Sequence, residues 1–115
     1  MNKVIIVGRT VRDCTFYEKT TERKCCKFVI ASKGDYYDGE ELHTDFIKCV
    51  AWDKVAETLV RYIHKGDLIS VWGIINTRTY EVEGKKQYTQ DIIVQKVELL
   101  SRNEKPSDTD TNLPF

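Results

Sequence analysis

The chain has 115 residues with 18 basic and 18 acidic side chains, so it carries no net charge, and 41% of its residues are hydrophobic. This length suits one domain with a true core, and the hydrophobic content argues against a wholly disordered chain. The apolar run Val4–Val7 is too short for a membrane span or a signal-peptide core. We therefore expect a cytoplasmic protein without a membrane partner.

The first predicted strand covers residues 3–9, which are rich in β-branched side chains, with a continuation past a bend at Gly8 through residues 14–17. A polar turn at 18–22 separates it from a second strand over 24–32. In that strand one face carries Cys26, Phe28 and Ile30, and the other carries Cys25, Lys27 and Val29.

Residues 33–43 are polar and contain two glycines, which predicts a long hairpin loop before a third strand over 44–52. The spacing of apolar residues then changes to that of a helical face, at Val55, Leu59, Tyr62 and Ile63. We expect Asp53 to cap the start of this helix and Lys65-Gly66 to end it.

Two further strands are predicted over 68–78 and 88–100, joined by a second long hairpin loop at 79–87. Three strands, a helix and two strands are the order of the OB-fold, an all-β, five-stranded, partly open Greek-key barrel. Residues 1–100 are therefore predicted to form an OB-fold domain. Residues 101–115 are polar until the last three positions and are predicted to form a flexible acidic tail.

The third strand carries the most informative pattern. One of its faces presents Phe46, Lys48, Val50 and Trp52. A core face would not normally hold a lysine, and a solvated face would not normally hold two large aromatics. Aromatic rings beside cations suit unpaired nucleotides, whose bases expose π-faces next to charged phosphates. The alternative is that Phe46 or Trp52 packs at a subunit interface or beneath the helix.

The two hairpins repeat this mixture of aromatic and basic side chains. The first contains Lys33, Tyr36 and Tyr37, and the second contains Arg78, Tyr80, Lys85, Lys86 and Tyr88. Each by itself could be an ordinary solvated loop. Because both hairpins and the third strand meet on one side of an OB barrel, their combination predicts a surface for single-stranded nucleic acid.

Trp72 lies beside Gly73, on the face opposite Ile69 and Val71. If those aliphatic residues point into the barrel, Trp72 points outward, as a subunit contact or as a solvent-exposed side chain.

No catalytic, metal or cofactor site is indicated. His43 and His64 are isolated, and no glycine-rich phosphate loop is present. The four cysteines form no C-x-x-C pair and are predicted to be buried structural thiols: Cys14, Cys25, Cys26 and Cys49.

Four segments, taken in order, resemble bacterial single-stranded-DNA-binding proteins. They are residues 1–9, residues 45–57, residues 62–66 and residues 77–80, and the last six residues resemble that family's acidic tip ending in Pro-Phe. The linker is shorter than usual for the family, as in a phage or mobile-element version, and the tip holds Asp108 and Asp110 instead of an unbroken acidic run.

The resemblance implies a homotetramer that wraps single-stranded DNA without sequence preference. Phe46, Trp52 and Tyr80 match the family's stacking positions, with Tyr36 or Tyr37 less closely matched, and Lys48 and Arg78 match basic positions beside them. The tail implies recruitment of replication and repair proteins through Asp108, Asp110, Leu113, Pro114 and Phe115.

Two other functions compete with this hypothesis. An OB module could bind RNA or act as a replication adaptor, although a Leu-Pro-Phe terminus after a linker has no evident use in a plain RNA binder. A small cysteine-dependent enzyme or redox protein is the other alternative, but the sequence indicates no base for its thiol.

Overall fold

The computed structural model describes residues 1–16 and 23–103. Five strands and one helix follow in the order β1 (Val4–Thr10), β2 (Cys25–Asp38), β3 (Glu41–Trp52), α1 (Asp53–Tyr62), β4 (Leu68–Val82) and β5 (Lys85–Ser101). The strands close into a barrel in the spatial order β1-β2-β3-β5-β4. The predicted all-β, five-stranded OB barrel with one helix between the third and fourth strands is confirmed. Tyr17, the predicted turn at 18–22 and residues 104–115 lie outside the described residues.

The barrel core is built by the strand alternation that the sequence shows. Buried side chains come from alternate positions of β2, β3, β4 and β5, and the helix adds Ala56 and Leu59. The largest fully buried side chains are Ile30, Leu59, Ile69 and Val71. Burial of each of these side chains stabilises the fold by about 1.5–3 kcal/mol, so this cluster is the main source of stability.

Two glycines permit the sharp corners of the barrel. A Cβ on Gly8 would collide with Ile30 and with the backbone of Ala31, where β1 crosses from β4 onto β2. A Cβ on Gly73 would collide with the carbonyl of Ile93, at the register shift between β4 and β5. Close backbone approach at these corners therefore requires residues without side chains.

The prediction of two long hairpin loops was wrong. The strands continue through both segments, with turns only near Gly39 and at Glu83-Gly84. Polar composition misled the prediction because these strands extend beyond the barrel, where both faces meet solvent and no apolar face is needed. We call them the first arm (residues 33–44) and the second arm (residues 77–90).

The predicted helix ends also need correction. The helix begins at Asp53 with Trp52 in the capping position, and no side-chain hydrogen bond caps it. The Asp53 carboxylate instead pairs with Arg23. The helix stops at Tyr62, so Gly66, with φ at +86°, belongs to the turn before β4 and not to the helix end.

All four cysteines are free and buried, as predicted. Burial raises the pKa of the Cys49 thiol to about 12, so it stays protonated and unreactive at neutral pH. Within residues 1–16 and 23–103, no helix has the length and apolarity needed to cross a membrane, and no group of side chains could hold a metal ion.

Candidate nucleic-acid interface

A cleft of about 530 Å³ opens beside the seam where β3 meets β5. These two strands are parallel and pair only at Cys49–Ile92 and Val50–Ile93. The charged residues that line the cleft are four cations and one carboxylate, namely Arg12, Lys27, Lys48, Arg78 and Asp91. A concave surface with such an excess of positive charge concentrates anions such as phosphates.

Phe46 and Lys48 lie on the outward face of β3, as the alternation predicted. Phe46 is 67% exposed, although a large aromatic ring usually packs in the interior. The Lys48 ammonium donates a hydrogen bond to Thr89 Oγ1 at 3.1 Å, which links β3 to the second arm. Val50, expected on the same open face, is only 7% exposed and lines the cleft instead.

Each of the two faces of the second arm carries both aromatic and basic residues. Tyr80 pairs with Gln87 and Arg78 with Thr89, so both share a face with Lys85. Tyr88 and Lys86 alternate with these positions and point to the opposite face. Because Lys48 contacts Thr89, the face that continues from Phe46 and Lys48 is the one carrying Arg78 and Tyr80.

The first arm makes a similar division between its two tyrosines. Lys33 pairs with Thr44 and Tyr37 with Leu42, and these β3 positions alternate onto the same face as Phe46. Tyr36 lies on the other face, stacked on His43. The structure therefore groups Lys33 and Tyr37 with Phe46 and leaves Tyr36 apart.

Trp52, at the far end of β3, is half-buried and is covered by Arg23. The Arg23 guanidinium carbon lies 4.6 Å from the centroid of the Trp52 ring. The same guanidinium pairs with the Asp53 carboxylate at 2.7 Å, and this hydrogen bond holds the pKa of Asp53 below its ordinary value. A base that stacks on this side of Trp52 must share the ring with Arg23 or displace it.

Arg12 and Lys27 were missed by the sequence analysis. Neither stands beside an aromatic residue of a predicted loop, and barrel closure alone brings them into the cleft with Lys48 and Arg78. Alternation on β2 was the available signal for Lys27, since it places this residue on the face of the strand that points away from the buried Phe28. No comparable signal existed for Arg12.

The residues predicted to bind partner proteins lie outside the described residues. They are Asp108, Asp110, Leu113, Pro114 and Phe115.

The barrel and its cleft define a class of protein: an OB-fold binding module whose open surface combines exposed aromatics with clustered cations. Residues 1–100 match the single-strand binding protein family, and the chain belongs to that family. This is a family of DNA-binding proteins and not of enzymes, so single-stranded DNA binding is its function.

Similar curated proteins agree with this assignment. The chain is 34% identical over 113 residues to a single-stranded DNA-binding protein of Staphylococcus epidermidis, which covers 94% of this chain and 86% of that protein. It is 35% identical over 100 residues to single-stranded DNA-binding protein 1 of Streptococcus pyogenes, covering 86% and 76%. It is 33% identical over 103 residues to single-stranded DNA-binding protein 1 of Clostridium acetobutylicum, covering 87% and 94%.

Proposed function

We propose that the chain coats single-stranded DNA without sequence preference, and so protects and organises it during replication, recombination and repair in the cytoplasm. The supporting observation is the continuity between Phe46, the cationic cleft and the Tyr80 face of the second arm. In this path the strand runs from the first arm across β3 and the cleft to the second arm. Tyr37, Phe46, Tyr80 and, at the far end of β3, Trp52 stack on bases. Lys48 and Arg78 lie near the phosphates.

The residues in this path favour binding that ignores base identity. Every base has a π-face, so an aromatic ring accepts all four, and each such stack contributes about 1–3 kcal/mol. Lysine and arginine neutralise phosphates, which are the same at every position. Lys33 and Lys85 extend the positive charge along the two arms. Tyr36, Tyr88 and Lys86 lie on the opposite faces, where a strand that wraps around an arm would meet them.

We further propose that the chain works as a homotetramer. Ile5, which is 59% exposed, pairs across β1 and β4 with Trp72, which is 39% exposed, and this creates an apolar patch on the outside of the barrel. β1 pairs with β2 only at Arg9 and Thr10, so the Val4–Val7 edge away from β4 has no partner strand within the described residues. An open edge beside an apolar patch favours pairing with another copy.

The tail, residues 101–115, completes the proposal as a recruiting segment. Phe115 offers one apolar ring, and Pro114 restricts the conformations that a partner must select. A replication or repair protein with an apolar pocket and a basic rim would bind Leu113, Pro114 and Phe115, with Asp108 and Asp110 facing the rim.

A fluorescence titration tests the binding proposal. Trp72→Phe leaves Trp52 as the only tryptophan, so its emission reports on β3 alone. We expect oligo-dT to quench this emission at lower concentration than oligo-U, and duplex DNA to quench it little. Equal responses to single and double strands would contradict the proposed path.

A truncation tests the tail. Removal of residues 108–115 should leave oligo-dT affinity equal or slightly higher, because an acidic segment no longer competes for the cations. The truncated chain should no longer capture replication and repair proteins from a bacterial extract. Loss of DNA affinity with unchanged protein capture would reverse the proposed division of labour.

A further inference from the structure

The first arm contains a bulge opposite a single histidine. Lys33 pairs with Thr44, and the next pair along is Tyr37 with Leu42. Three residues of β2, at 34–36, therefore face only His43 on β3. Such a bulge leaves backbone groups outside the ladder and must be fixed by side chains if the arm is to hold one shape.

His43 makes two hydrogen bonds with carboxylates, one from each ring nitrogen. Nδ1 lies 2.6 Å from Asp38 Oδ2 and Nε2 lies 2.9 Å from Asp45 Oδ1. Ionised carboxylates only accept hydrogen bonds, so both nitrogens must donate, which requires the imidazolium form. These two bonds, from Asp38 first and Asp45 second, raise the pKa of His43 above its ordinary 6.5.

Tyr36 completes the cluster from within the bulge. Its ring centroid lies 4.6 Å from that of His43, with the ring planes 13° apart. The other titratable groups on this arm are Lys33, the exposed Asp35 in the bulge, Tyr37, Glu40 in the turn, and Glu41, which lies opposite Asp38 in the strand register. Apart from each other, β2 and β3 have no register partner along the arm within the described residues.

We infer that protonated His43 is a positioning residue for DNA binding: it fixes the bulge through Asp38, Asp45 and Tyr36, and so holds Tyr37 on the opposite face in line with Phe46. This inference rests on the proposed function, which puts Tyr37 on the path of the DNA. Neutral His43 has one donor for two carboxylates, so one bond is lost and two negative charges remain near each other. The bulge then loosens and Tyr37 loses its fixed position.

The sign of the pH effect follows from the raised pKa. We call the two hydrogen bonds from protonated His43 to Asp38 and Asp45 the clamp. Because His43 is protonated more easily in the ordered arm, the clamp is complete below the ordinary histidine pKa of 6.5. It is lost as the pH rises through the higher pKa that His43 has in the folded arm. DNA that binds to the ordered arm must in turn favour the proton, so the pKa of His43 should rise further in the complex. The inferred clamp thus couples proton uptake to DNA binding.

Oligo-dT affinity measured at constant ionic strength between about pH 6 and about pH 8.5 tests this inference, since histidine is the side chain that ordinarily titrates there. We expect the affinity of the unmodified full chain to fall on the order of fivefold across this range. A fall of this size corresponds to the partial loss of one stacking contact, that of Tyr37. His43→Gln should bind oligo-dT with the same affinity at every pH, and that affinity should equal the one that the unmodified chain shows at high pH. His64→Gln is the matched control and should keep the full profile.

Proton NMR follows the titration of the His43 imidazole directly. Added DNA would not change this titration if His43 had only a structural role. The chain has only two histidines, so His43→Gln assigns both imidazole signals. We expect His43 to titrate above 6.5 and its pKa to rise further when oligo-dT is added. A flat pH profile in the unmodified chain, a profile that survives His43→Gln, or a His43 pKa at or below 6.5 would overturn the inference.

Tyr37→Ala separates failure of this inference from failure of the proposed path. Weaker binding at every pH with no remaining pH dependence supports the clamp. If Tyr37→Ala weakens binding while the unmodified chain shows a flat profile, the clamp is wrong and the DNA path stands. If Tyr37→Ala changes the affinity at no pH, the first arm lies off the path and the inference falls with it.

Discussion

The Arg78 guanidinium donates a hydrogen bond to Asp91 Oδ2 at 2.8 Å, and so ties a half-exposed cation of the cleft to a carboxylate that is only 5% exposed. The other carboxylate oxygen, Oδ1, is buried and has no hydrogen-bond partner within the described residues. A buried carboxylate is costly unless it is paired, so Arg78 has a structural task beside any contact with DNA.

Arg78→Ala should therefore lower the free energy of unfolding by about 2 kcal/mol or more, because Asp91 would keep a buried charge without its partner. Chemical denaturation followed by circular dichroism measures this loss. The double variant Arg78→Ala/Asp91→Asn should recover most of the stability, since it removes the charge as well. If the double variant is as unstable as the single one, the pair is not the cause. The double variant is also the proper background for measuring the contribution of Arg78 to DNA affinity.

Phe46→Ala should weaken oligo-dT binding by about 1–3 kcal/mol, or roughly fivefold to 150-fold, because an exposed ring would no longer stack on a base. Stability should change little, since the side chain is mostly in solvent. Tyr62 on the helix is the matched control, being an exposed aromatic away from the cleft. Equal losses in Phe46→Ala and Tyr62→Ala would show that the effect is not specific to the β3 face.

Affinity for oligo-dT should fall linearly with the logarithm of salt concentration, with a slope of about −0.7 for each phosphate neutralised. Lys48→Ala and Arg12→Ala should each make the slope shallower by about this amount if each residue neutralises one phosphate. Lys54→Ala, which removes an exposed cation from the start of the helix, should leave the slope unchanged. A slope that does not respond to either cleft variant would remove the cleft from the DNA path.

Glu83→Asn should stabilise the second arm by about 0.5–1 kcal/mol. Glu83 and Gly84 form the two-residue turn between Val82 and Lys85, and both have positive φ, at +53° and +80°. Asparagine tolerates this conformation better than glutamate, and Asn-Gly is the preferred sequence for such a turn. Slower amide hydrogen exchange in the arm measures the gain. Glu81→Asn makes the same change of charge on a strand and should not slow exchange.

Ile5→Glu should dissociate the proposed tetramer by placing a charge in an apolar contact. An unpaired charge buried at an interface costs about 3 kcal/mol or more, which raises the dissociation constant on the order of a hundredfold. Sedimentation equilibrium at micromolar concentration measures this change. Val82→Glu puts the same charge on an exposed apolar residue at the tip of the second arm and should keep the assembly intact. An unmodified chain that sediments as a monomer would contradict the assembly outright.

Local patterns in the sequence determined the elements and the core of this protein. Alternation put Cys26, Phe28 and Ile30 on one face, which is buried in the structure, and the change to helical spacing placed α1 between the third and fourth strands. Strand alternation also placed Phe46 and Lys48 on the outward face of β3. These properties have periods of two or of three to four residues, so a short window of sequence contains them.

Only the tertiary structure decided how the surface is divided and what its charges contact. The bulge opposite His43 shifts the pairing of β2 by two residues, so it decides that Tyr37 lies opposite Leu42. The pair Arg78–Asp91 and the gathering of Arg12 with Lys48 depend on strands that meet only when the barrel closes. Register shifts and barrel closure are set by partners far apart along the chain, and no local periodicity contains that information.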